Sequence, residues 1–178
     1  MIAHSEIKRH QDRAATFLQN AGIALCENEQ IEIADFGLND FDISGLSIVV
    51  YCNTDRYCGK ELILFPHQTC PQHMHPPVGN DPGKMETFRC RQGTVYLYVD
   101  GPATSDTHAN PPADSKAFYT VFHEIVLTPG QQYTIAPGTL HWFQAGPDGA
   151  IVTEFSSTSR DEADIFTDPR IRRVAEVI

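Results

Sequence analysis

Residues 118–156 read FYTVFHEIVLTPGQQYTIAPGTLHWFQAGPDGAIVTEFS. Apolar and aromatic runs occupy Phe118 to Leu127, Gln132 to Ala136, Leu140 to Ala145 and Ile151 to Ser156, and Pro, Gly or Asp separates each from the next. Gly and Pro interrupt regular structure, so this punctuation marks turns between short strands. The same texture extends upstream through Leu46 to Cys52, Glu61 to Pro66, Thr87 to Cys90 and Thr94 to Val99. Many short strands with no helical pattern between them predict an antiparallel, all-β sandwich or barrel.

The flanks read differently. Ser5 to Asn20 predicts a helix, with Ser5 as N-cap, Ile7, Ala14, Phe17 and Leu18 roughly on one face, and Gly22 as the stop. After Ser156 the chain turns polar through Arg160, Asp161, Glu162 and Asp164, then continues with Ile165-Phe166 and a basic Arg170-x-Arg172-Arg173. This tail is expected to wrap the domain as short helix or coil. The predicted organisation is a single domain over residues 1–178, with the helix at 5–21, a β core at 45–156 and a C-terminal extension at 157–178. Two segments break the strand rhythm. Pro71 to Lys84 holds four Pro and two Gly in fourteen residues, too long for a hairpin turn, and Gly101 to Lys116 reads as a solvated loop.

With 178 residues and 41% hydrophobic side chains, the chain can bury a single core. Its 13 Lys+Arg stand against 23 Asp+Glu, a formal charge of −10 with no concentrated basic cluster, which argues against a nucleic-acid partner. No apolar run approaches the roughly eighteen residues needed to span a bilayer, and the start lacks the order of a signal peptide. A cytoplasmic location is expected. The five Cys form no C-x-x-C pair and read as reduced packing thiols. Eight His are the compositional feature that points to chemistry, because imidazole is the commonest metal ligand and titrates near neutrality.

Cys70-Pro-Gln-His73-Met-His75 places two imidazoles at i and i+2, which an extended strand projects from one face. Glu86 begins a following strand, and Gly130 to His141 reads as strand, Pro-Gly turn and returning strand, delivering a third imidazole. An isolated H-x-H arises by chance on amphipathic strands. Three neutral imidazoles with one carboxylate, however, leave open positions on a divalent ion, which suits catalysis better than a closed structural site.

Glu86 is followed after six residues by Gly93, and Gly130 to Ala145 reads G-x5-A-P-G-x2-H-x3-A. These blocks resemble the two motifs of the cupins, G-x5-H-x-H-x3-4-E-x6-G and G-x5-P-x-G-x2-H-x3-N. Here ten residues separate His75 from Glu86, no Gly leads His73, and Ala136 and Ala145 replace the usual Pro and Asn. The long insertion narrows the resemblance. Together with Leu62-Ile-Leu-Phe-Pro66, Gln68-Thr-Cys-Pro71, His75-Pro-Pro-Val-Gly-Asn-Asp-Pro-Gly-Lys84, Glu86-Thr-Phe-Arg-Cys90 and Thr94-Val-Tyr-Leu-Tyr98, the chain resembles the cupin D-lyxose isomerases over roughly Lys60 to Arg172.

The resemblance implies a double-stranded β-helix, or jelly-roll, barrel carrying a metal-dependent aldose–ketose isomerase that interconverts D-lyxose and D-xylulose. Its metal is usually Mn²⁺, with Co²⁺, Zn²⁺ or Fe²⁺ as alternatives. The implied ligands are His73, His75, Glu86 and His141, with Glu154 as general base and Lys60 as proton donor or oxygen stabiliser. Glu154 also stands out because the run Ile151 to Phe155 is otherwise apolar, and a buried carboxylate needs a partner or a purpose. A solvated strand-end side chain is the ordinary fate of a lysine such as Lys60. Lys84 reads as a surface charge, with contact to sugar hydroxyls as the alternative. Arg160, Asp161 and Asp164 read as a solvated face. His67 and His123 read as core or surface residues, and Trp142 and Phe143 as core packing or a wall for a sugar face. Two other classes remain open: an Fe(II) cupin dioxygenase and a non-catalytic sugar- or metal-binding module. Exposed edge strands and the apolar helix stripe favour a homodimer.

Overall fold

The computed structural model describes residues 3–173. The expected helix is α1, His4–Asn20, but Ala3 rather than Ser5 is its N-cap. Gly22 follows its end at φ 71°, the left-handed conformation that stops helices. Among the described residues, nine strands make one curled antiparallel sheet: β1 Ile31–Ala34, β2 Leu46–Asn53, β3 Cys58–Leu64, β4 Thr69–Met74, β5 Glu86–Val99, β6 His123–Leu127, β7 Gln132–Ile135, β8 His141–Ser156 and β9 Ile165–Phe166. Neighbours run β1-β2-β3-β8-β4-β9, while β5 lies along the whole of β8 and carries β6 and β7 on its far edge. This is the all-β architecture that the strand pattern predicts.

The strand boundaries differ from the sequence reading in an instructive way. Thr87 to Cys90 and Thr94 to Val99 are one strand, as are Leu140 to Ala145 and Ile151 to Ser156. Gly93 and Gly149, at φ 71° and 77°, bend the paired strands without ending them. A Cβ on Gly93 would lie 1.9 Å from the Gly149 carbonyl oxygen, so the crossing at this bend admits no side chain. Pairing runs from Glu86↔Ser156 through two register shifts to Val99↔His141. On the other edge of β8, β3 pairs with 150–156 and β4 with 141–144. The folded ribbon therefore brings both of its ends to one cavity. Two local expectations also change. Ala113–Phe118 forms a 3₁₀ turn, so the run from Phe118 becomes a strand only at His123, and β1 lay in a stretch the sequence did not mark.

Alternation sorts the side chains into two layers. Leu62, Leu64, Phe88, Cys90, Leu97, Phe143 and Val152 fill the barrel, while Val49, Ile63 and Ile151 point outward beneath α1, which packs Ala14 and Leu18 on them. At about 1.5–3 kcal/mol per buried Leu, Ile or Phe, these layers hold the curl. A third cluster sits under the Gly101 to Lys116 loop, where Trp142 stacks on Tyr98 at 4.0 Å and donates Nε1–H to the Val121 carbonyl. Trp142 thus faces away from the cavity, and Phe143 lines it. No helix among the described residues is long and apolar enough to cross a membrane.

Candidate active site

One irregularity aims the first histidine. Cys70 pairs with Phe143 and His73 with His141, so β4 carries one residue more than β8 between them. Three residues apart on a regular strand, Cys70 and His73 would face opposite sides. The bulge at Pro71-Gln72 turns both into the barrel, at a place where proline's missing N–H is tolerated. His75 follows the end of β4. The Pro137-Gly138 turn, whose Gly138 N–H donates to the His75 carbonyl at 3.2 Å, returns the chain to deliver His141.

The ligand atoms of His73, His75 and His141 lie within 4.8 Å of one another. His73 Nδ1 is 2.8 Å from the Pro71 carbonyl and His141 Nδ1 is 3.0 Å from the Thr139 carbonyl. A carbonyl only accepts, so both Nδ1 atoms carry the hydrogen and both Nε2 atoms offer a lone pair. His75 Nδ1–H donates to Asp164 Oδ1 at 2.5 Å. Glu86 Oε1 lies 3.2 Å from His75 Nε2 and 3.0 Å from His141 Nε2, and the latter nitrogen is buried without a well-aligned hydrogen bond. Burial, reinforced by the neighbouring imidazoles, holds the His73 pKa well below its usual value, which leaves the ring neutral. Burial also opposes charge on Glu86, but Lys84 and His75 outweigh it and keep the carboxylate ionised. Burial likewise works against charge on His75, yet Glu86 and Asp164 raise its pKa to about 9. The same ring can therefore take either a proton or a metal cation between itself and Glu86. Three imidazoles and a carboxylate converging in this way fit a divalent ion with open positions.

Lys60 and Glu154 stand opposite each other in the β3–β8 register and point inward. Lys60 is buried and donates to Ser159 Oγ at 2.8 Å and to both Asp161 oxygens at 2.9 Å, so it is not a solvated strand-end lysine. Lys84 overturns its surface reading. It is only 8% exposed and bridges Glu86 Oε2 at 2.8 Å and Glu154 Oε1 at 3.0 Å. Gly83 makes this possible: at φ 102° it crosses the His75 carbonyl so closely that a Cβ would lie 2.6 Å from that oxygen, and the chain then re-enters the cavity.

A model of the D-lyxose isomerase family matches residues 27–178. The chain belongs to the D-lyxose isomerase family. It is 64% identical to a D-lyxose ketol-isomerase of Cohnella laeviribosi, covering 96% of this chain and 94% of that one. It is 60% identical to a D-lyxose/D-mannose isomerase of Thermosediminibacter oceani, over 99% of each. Among solved structures, the L-ribose isomerase of Acinetobacter sp. DL28 in complex with L-ribose superposes with a TM-score of 0.81 at 15% identity, over 99% of this chain and 98% of that one. An RmlC-like cupin from Shewanella frigidimarina superposes at 0.52 and 16% identity, over 78% and 92%. These likenesses identify the fold as the cupin barrel. The family is one of sugar isomerases.

In this D-lyxose isomerase family member the C-terminal tail is not a solvated face. Asp161 holds Lys60 and accepts from Arg173 Nη2 at 2.8 Å, Asp164 holds His75, Arg160 reaches Asp81 of the inserted loop at 2.6 Å, and β9 pairs with β4 at His73↔Phe166. Two lysines buried in the barrel require carboxylates, and the tail supplies one of them. The cavity is lined by the apolar Phe36, Phe88, Phe143 and Phe166 and by the charged Lys60, Lys84, Glu86 and Glu154. Phe36, Phe166 and Arg173 line it, although the sequence reading named Phe166 and Arg173 only as parts of a wrapping tail and Phe36 not at all. His67 lies exposed in the β3–β4 turn and His123 hydrogen-bonds the Pro102 carbonyl, so neither lines the cavity. Residues 174–178 of the predicted extension lie outside the described residues.

The tail contact carries a pH signature. Burial alone would raise the Asp161 pKa, but Lys60, Lys84 and Arg173 together hold it far below the usual carboxylate range. A depressed folded pKa stabilises above the unfolded value, near about 4, and that contribution is lost as pH falls below it. Protease sensitivity around Ser159 to Asp164 is therefore expected to rise as pH falls below about 4, and also to rise gently as pH climbs from about 6.5 toward 9, where the raised pKa of His75 lets its contact with Asp164 lose charge. Release of the tail already at pH 6 would contradict this.

Proposed function

We propose that the chain interconverts D-lyxose and D-xylulose, with His73, His75, Glu86 and His141 holding a divalent metal, Glu154 as general base and Lys60 as proton donor. The observation that carries this reading is the convergence of the His73, His75 and His141 ligand atoms and Glu86 with a second carboxylate, Glu154, tied to Glu86 through Lys84. The Cohnella and Thermosediminibacter relatives, a D-lyxose ketol-isomerase and a D-lyxose/D-mannose isomerase, support the sugar. A divalent ion in this donor set, with Mn²⁺ as the first choice, would supply Lewis-acid stabilisation of negative charge on O1 and O2. Glu154 takes the proton from C2 of the aldose and returns it to C1. Lys60, buried beside it, gives a proton to O1 as the C1 carbonyl becomes a hydroxyl and takes back the proton that leaves O2 as that hydroxyl becomes a carbonyl. Lys84 orients the Glu154 carboxylate through the whole transfer. D-mannose shares the C2 to C4 configuration of D-lyxose, so the same reading takes in the longer sugar of the second relative's name. In the same proposal the protein is a single-domain, cytoplasmic homodimer, a state supported by its exposed Phe155 and Tyr57 and a compartment supported by five unpaired thiols.

The test is direct. Protein stripped with a chelator is expected to be inactive and to recover D-lyxose to D-xylulose conversion on adding Mn²⁺. No conversion with Mn²⁺, Co²⁺ or Zn²⁺ would overturn the proposal. Oxygen uptake with Fe²⁺ would replace it with a dioxygenase, and metal retention with no turnover would replace it with a binding module.

A further inference from the structure

The histidine pair sits at the end of β4 and just past it, on a strand that bulges at Pro71-Gln72 and pairs with β8 on only one edge of its end. The other edge is covered by β9, two residues long, paired at His73↔Phe166 and Met74↔Ile165. At and just before these pairings the tail grips both imidazoles. The Phe166 ring stacks on His73 with centroids 5.3 Å apart and planes at 29°, and Asp164 takes the Nδ1–H of His75 at 2.5 Å with its side chain only 8% exposed. His141 and Glu86 have no such dependence. They come from β8 and β5, which are paired with each other along their full length, and His141 Nδ1 is fixed by the carbonyl of Thr139 two residues before it.

We propose that Asp164, with the β9 strap, is the positioning residue of the metal centre: it fixes the orientation of the His75 ring, so that metal retention depends on the tail being docked. The inference rests on the reading of His73, His75, Glu86 and His141 as metal ligands. Its physical basis is that an imidazole on a free chain end rotates about two side-chain bonds, whereas an oxygen acceptor on Nδ1 holds the ring with Nε2 directed at the ion. Losing such an outer partner typically weakens metal binding about 10–100-fold. Main-chain carbonyls serve this purpose for His73 and His141. For His75 the acceptor comes from 89 residues away, on a segment outside the barrel's main strands. Metal retention is thereby coupled to the docking of the segment that also closes one side of the cavity.

The experiment is calorimetric titration of Mn²⁺ into metal-free protein. Asp164→Ala is expected to raise the dissociation constant about 10–100-fold, and Asp164→Asn, which keeps an acceptor oxygen, is expected to raise it less. The thermal midpoints of the two metal-free variants are compared with that of the wild type, and both are expected to fold. If Asp164→Ala binds Mn²⁺ within twofold of the wild type, the inference is overturned while the metal centre stands. Equal losses in Asp164→Ala and Asp164→Asn would also overturn it, because orientation by the acceptor would then contribute nothing. Should the wild type bind no divalent ion at all, the metal centre falls and this inference falls with it.

Discussion

Glu154→Gln is expected to leave Mn²⁺ retention and the thermal midpoint near their wild-type values while turnover of D-lyxose falls about 10²–10⁴-fold, the usual contribution of a positioned general base. Gln matches Glu in shape and keeps an oxygen to accept from Lys84, so the contact at 3.0 Å survives the substitution. What is lost is the ability to hold the C2 proton between removal and return. The measurement is the initial rate of D-xylulose formation, paired with exchange of the C2 hydrogen of D-lyxose into deuterated solvent. Both are expected to fall together, because both require the same carboxylate to take the same proton. A rate within tenfold of the wild type would remove Glu154 from the chemistry.

Lys84→Met is expected to destabilise the metal-free protein by about 3–5 kcal/mol in urea unfolding, the magnitude associated with removing one partner of a buried ionic cluster. Met preserves the apolar stem. Its thioether leaves Glu86 and Glu154, which are 1% and 3% exposed, without the ammonium between them. The charge on Lys84 is secure despite burial, because Glu154, Glu86 and Asp161 raise its pKa well above the usual lysine value. Added Mn²⁺ is expected to recover part of the loss by mass action, since a cation beside Glu86 takes over some of the missing positive charge. A loss below about 1 kcal/mol in the metal-free protein would mean that water, not Lys84, neutralises these carboxylates.

The parts of this molecule that the sequence makes legible are those governed by local rules. Period-two alternation put His73 and His75 on one face, the Pro137-Gly138 punctuation located the return to His141, and the apolar neighbours of Glu154 marked it as a carboxylate with a purpose. Distances along the chain could not show the rest. Lys84 lies in a stretch with every compositional mark of a solvated loop, and only the positive φ of Gly83 and the close pass over His75 turn it inward. Asp161 and Asp164 look like a mixed-charge surface until Lys60 and His75, 101 and 89 residues earlier, are seen to need acceptors. Splitting β5 and β8 into four runs had the same origin. A Gly-Pro-Asp-Gly stretch usually marks a turn, but here the partner strand bends in parallel and the ladder continues across it.

That shared bend at Gly93 and Gly149 has a consequence for how the enzyme can vary. One arm of the ribbon supplies Glu86 and Glu154 and the other supplies His141, so the crease works like the fold of a clasp whose tips meet where His141 lies 3.0 Å from Glu86. The alignment of Glu86 and Glu154 with His141 is therefore set at a point that touches none of them. Substitutions lining the cavity alter what is held, whereas a change of angle at the crease alters how the two tips meet, and the tight approach of Gly93 to the Gly149 carbonyl leaves that angle almost no latitude.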